Sequence, residues 1–79
     1  MNINYEELID AFSVASVVYN ENIQDVLSEL PMDIFSKIDE AVSKSIILGI
    51  LVAKFNLRDI DEEELNEIIN KMFIKMTES

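Results

Sequence analysis

One glycine and one proline serve the whole of a 79-residue chain. That scarcity limits the possible folds more than any motif does. Tight β-hairpins need residues that accept positive φ, above all glycine, and proline is the other main turn former. Hydrophobic residues make up 49% of the chain, too many for a disordered acidic tail. The expectation is therefore all-α: a single helical domain over residues 1–79, built as a small bundle of about four helices.

Periodicity places those helices at approximately 4–20, 22–30, 32–55 and 61–77, with the third at the centre. Asn4 is a good N-cap, Glu7 stands at the capping-box position, and Ile3 with Leu8 can form a hydrophobic staple. Asp61, Glu64, Ile60 and Leu65 repeat this arrangement at the last helix. Tyr5, Leu8, Phe12, Ala15, Val18 and Tyr19 share one half of the first helix, whereas Val14 and Val17 fall on its polar half. Asn20 to Asn22 read as a polar linker. Ile23, Val26, Leu27 and Leu30 then define a short second helix, which Pro31 ends.

The third helix closes on the run "SIILGILVAKF". Its uninterrupted apolar part, Ile46 to Ala53, would span about 12 Å at ~1.5 Å per residue, against roughly 30 Å of hydrocarbon in a bilayer. A membrane anchor is not expected, and the lysines that bracket the run agree. Two features of the run point elsewhere. Ser45, Gly49 and Ala53 form a stripe of small residues that would let another backbone approach, either Ala11 and Ala15 of the first helix or a second chain. Ile47 and Leu51 share a face with Asp33, Glu40 and Lys44, so that face turns from charged to apolar along the helix. The expected candidate interface of a homodimer is therefore Ser45, Ile47, Gly49, Leu51 and Ala53, with Val14 and Val17. The competing expectation is that the second or fourth helix covers Ile47 and Leu51 within one chain.

Sixteen acidic residues face six basic ones, for a net charge of −10. Direct binding to nucleic acid or to an anionic membrane is disfavoured, and a basic protein surface is the natural partner. Cysteine and histidine are both absent. Disulfides, thiolate metal sites and the commonest nucleophiles and bases are absent with them. The opening "MNINYEELID" lacks the basic start of a secretory signal, and a cytoplasmic location is expected. No cofactor, metal or enzymatic activity is expected. "DIDEEELNEIIN" loosely resembles a calcium loop at Asp59, Asp61 and Glu63, yet Glu64 stands where glycine is required and Asn70 where a bidentate glutamate is required.

The functional expectation is a non-enzymatic protein that acts by protein–protein interaction, as an adaptor, inhibitor or regulatory subunit. Chains of this size and charge recur among phage and mobile-element accessory proteins. Two alternatives stand beside it. One is an acidic mimic of nucleic acid, of the anti-restriction or anti-CRISPR type, with Glu6, Asp10, Glu63 and Glu67 as its outer face. The other is a structural subunit of a larger assembly.

Overall fold

The computed structural model describes residues 3 to 78, and these are helical with no strand among them. Helix α1 spans Tyr5–Tyr19, a π-helical turn follows at Asn20–Gln24, and α2 covers Asp25–Leu27. Helix α3 spans Met32–Phe55 and α4 spans Glu62–Glu78.

The expected break at residues 20–22 is not there. Tyr19, Asn20, Gln24 and Asp25 all hold right-handed helical backbone angles, so α1, the π turn and α2 make one rod. The bundle therefore has three helical rods and not four. A π turn holds one residue more than an α turn, which disturbs the i→i−4 ladder locally. Asn22 repairs part of the damage by donating from Nδ2 to the Val18 carbonyl at 2.7 Å. An asparagine side chain competes for nearby backbone groups and so favours a break in a helix. In the structure Asn22 competes in this way without stopping the helix.

The rod ends in two tight i→i−3 bonds, Glu29 N–H to Val26 O and Leu30 N–H to Leu27 O. Pro31 then adopts φ −54° and ψ 145° and opens α3. The far end of α3 is closed by Asn56 in the left-handed region, at φ 56°, a conformation that asparagine tolerates better than most side chains. The N–H groups of Asn56 and Leu57 both reach back to the Leu51 carbonyl. Both expected N-caps form. Asn4 Oδ1 accepts from Glu6 and Glu7 N–H at 3.1 and 3.2 Å, and Asp61 Oδ1 accepts from Glu64 N–H at 2.8 Å.

The α1 rod and α3 form an antiparallel hairpin, for Leu8 packs with Ile47 and Leu51 while Tyr19 reaches Asp39. Helix α4 lies across the open end of this hairpin. The core is Leu8 of α1, Ile47 and Leu51 of α3, and Leu65, Ile68 and Met72 of α4. Phe12 meets Phe73 edge to face, with ring centroids 6.4 Å apart, a favourable arrangement for aromatic quadrupoles. Ile3 and Ile60, the outer members of the two staples, pack on the same cluster. The whole core sits at one end of the molecule, and the closed end of the hairpin extends beyond it.

Candidate interaction surface

Ile47 and Leu51 are completely buried within this chain. Helices α1 and α4 cover them, so they cannot be the centre of a dimer interface in this fold. The change from charged to apolar along that face of α3 has an intramolecular cause: α4 covers the face where it is apolar. Lys44, at the boundary, reaches Glu40 at 3.3 Å and Glu62 of α4 at 3.6 Å. Its methylene stem can lie on apolar surface while its head stays in these pairs.

The rest of the expected interface is exposed. Ser45, Gly49 and Ala53 lie two residues from the buried pair, about 160–200° around the helix at 100° per residue. All three face solvent. A Cβ built on Gly49 would meet no atom within 4 Å, so neither Ala11 nor Ala15 packs against it. Val14 and Val17 are 70% and 51% exposed. Ala41, Val42, Ser45 and Ile46 line a shallow groove on the same side of α3.

Other residues join this surface that periodicity had placed inside. Val18, Ile23 and Val26 are exposed, although the sequence periodicity sets them on apolar faces. Leu30, Met32 and Ile34 are exposed at and after the turn. Of ten exposed large hydrophobic residues among the described ones, eight lie between positions 14 and 34, and Phe73 and Ile74 lie elsewhere. Scattered exposed apolar side chains are ordinary; a concentration of this kind is not.

The π turn decides where these residues point. Val14 and Val18 are one turn apart. Val26 stands twelve positions after Val14, and once the extra residue of the π turn is discounted the separation is about three α turns. Val26 therefore returns to the Val14–Val18 stripe, while Leu27 turns inward and is half-buried. On helical phase, this stripe and the Val42–Gly49–Ala53 side of α3 border the same face of the hairpin, the one turned away from α4.

The four acidic residues expected as an outer face do not form one array. Glu6 and Asp10 line a depression with Lys75, Met76 and Glu78, at the C-terminal end of α4. Glu63 and Glu67 lie in the opposite half of α4 and are exposed. A different charge pattern is more regular, and it was overlooked in the sequence. No lysine or arginine occurs before Lys37, while Glu6, Glu7, Asp10, Glu21, Asp25, Glu29 and Asp33 all do. The last four recur at every fourth position around the tip of the hairpin, and all are exposed.

Tyr19 is the one polar group set into this region. Its hydroxyl donates to Asp39 Oδ1 at 2.9 Å and ties the rod to α3. Burial, then the hydrogen bond to Asp39 and the negative charge of that carboxylate, hold its phenol above the usual value of 10. Among the described residues no polar or charged side chain is fully buried, and no group of three or more acidic side chains is placed to hold a metal ion. Asp61, part of the loose calcium pattern, is occupied as an N-cap. No helix among the described residues is long and apolar enough to cross a membrane. No protein-family model matches the chain, and no curated protein or solved structure shows significant similarity to it.

Proposed function

We propose that the protein acts by holding another protein against the bare face of its α1–α3 hairpin, as an adaptor, inhibitor or regulatory subunit. The observation that carries this reading is the concentration of exposed large hydrophobic residues between positions 14 and 34. The surface as a whole agrees with it. The chain exposes 5646 Å², whereas a monomer of 9.1 kDa ordinarily exposes about 4,900 Å². The excess is close to the roughly 800 Å² that each partner buries in a standard-size interface. The radius of gyration, 13.2 Å, likewise exceeds the value of about 11.6 Å expected for this length. An arm that projects from its own core gains stability when something covers it.

The homodimer keeps only its exposed half under this reading, since Ile47 and Leu51 belong to the core. Mimicry of nucleic acid draws support from the net charge, but the outer face expected for it does not form, because Glu6 and Asp10 are separated from Glu63 and Glu67. A structural subunit would use the same bare face, repeated in a ring or filament.

Site-specific photo-crosslinking tests the reading. Photoreactive residues at Val26 and Ile34 should give one discrete protein adduct in the cells that make this chain, and Val14→Ser/Val18→Ser should abolish it. Residues Glu63 and Glu67, exposed on α4, serve as the contrast. Equal adducts from both sets of positions, or adducts unaffected by the double substitution, would refute docking on the hairpin.

A further inference from the structure

We infer that the occupant of the bare face is a basic amphipathic helix of a partner protein. This rests on the reading of the face as a protein-docking surface and adds the partner's chemistry.

The shape favours a helix. Helix α3 carries a shallow groove on this side, lined by Ala41, Val42, Ser45 and Ile46, and an amphipathic helix lays its apolar face into such a groove. Helix α3 has 24 residues and is about 36 Å long at ~1.5 Å per residue, enough for several turns of a docked helix. Ser45, Gly49 and Ala53 present no bulk, and the space beside Gly49 is open. An added β-strand has no template, because no sheet edge exists among the described residues.

The charge favours a basic helix. Glu21, Asp25, Glu29 and Asp33 surround the apolar tip, and no cation occurs among residues 3–36. A second copy of the chain, paired tip to tip through this face, would bring the same carboxylates against one another. Lysine or arginine on the polar flanks of a partner helix would meet them instead. Such complementarity selects the partner and speeds its approach, and salt weakens it.

The test uses the full chain and designed helical peptides of about 18 residues, long enough to hold helical structure. They share one leucine face and differ in a polar face of Lys, Gln or Glu. Calorimetry and amide chemical shifts should show the Lys peptide bound one to one, with shifts centred on Val14, Val18, Val26 and Gly49. The Gln peptide should bind at least about tenfold more weakly, and the Glu peptide not at all. Glu21→Gln/Asp25→Asn/Glu29→Gln/Asp33→Asn should lower affinity for the Lys peptide about tenfold, whereas Glu63→Gln/Glu67→Gln should leave it unchanged. Should the fourfold variant lose helicity, the order of the Lys, Gln and Glu peptides still tests the charge, and Val14→Ser/Val18→Ser tests the face.

Equal binding of the Gln and Lys peptides on this face would overturn the basic partner and leave docking intact. So would a dimer in sedimentation whose amide shifts map to the same face. Lys-peptide shifts confined to the outer side of α4 would overturn both readings.

Discussion

At position 49 the chain carries a glycine inside a helix, at a cost of about 1 kcal/mol relative to alanine. Nothing in the fold offsets that cost, since the space beside Gly49 is empty. Gly49→Ala should therefore stabilise the isolated protein by about 0.5–1 kcal/mol, read as a higher urea midpoint. Leu51, two residues away, behaves oppositely. Leu51→Ala removes a fully buried side chain and should cost about 2–5 kcal/mol, enough to leave much of so small a domain unfolded in a urea titration. Had Leu51 been an interface residue, the variant would remain a folded monomer. Tyr19 gives the third prediction at this scale. Its folded-state pKa lies above its unfolded value, so its contribution is complete below about pH 10 and is lost as pH rises through the folded-state value. Tyr5 is shifted the same way by burial alone. Urea midpoints measured from neutral to alkaline pH should fall at the alkaline end, and less steeply in Tyr19→Phe. That variant should lose about 1 kcal/mol at neutral pH with the hydrogen bond to Asp39.

The elements differ in how far the sequence revealed them. The starts of α1 and α4 were legible because capping is local: Asn4 and Asp61 need only the next three residues to do their work. Asp61→Ala should accordingly cost about 1 kcal/mol by chemical denaturation. The end of α3 was legible as a break before Asp61, with Asn56 in the left-handed turn that asparagine accepts. The join between α1 and α2 was not legible. A π turn adds a residue to the helix without changing its composition, so it looks in sequence like a slip of phase, and a slip of phase looks like a linker. The apolar part of the interface was misread for a related reason. Ile47 and Leu51 share a helix face with Asp33, Glu40 and Lys44, and periodicity alone cannot know that α4 covers only part of that face. Val14 and Val17 were correctly seen to lie off the core face of α1. Val18 and Val26 were assigned to the core side, though α4 sits elsewhere and leaves them bare.

For the whole molecule, the imbalance of sixteen acids and six bases sets a long-range repulsion that ion pairs relieve in part. Lys44 makes two, to Glu40 and Glu62. Screening should help the compact state, so the thermal midpoint should rise as sodium chloride increases from about 10 mM to about 150 mM, a change that shortens the Debye length from roughly 30 Å to 8 Å. A midpoint that fell with salt would mean that attractive pairs outweigh the net charge.

The stretch without lysine or arginine also governs how this protein can be observed. Trypsin has no site before Lys37, so the whole α1 rod and the turn after it travel in a single long fragment. Amine-reactive cross-linkers find no lysine side chain on the rod, and α3 alone offers them Lys37, Lys44 and Lys54 beside a complex formed there. Carboxylate-directed coupling and a glutamate-specific protease suit Glu21, Asp25 and Glu29, the acids that border the face where the partner is expected.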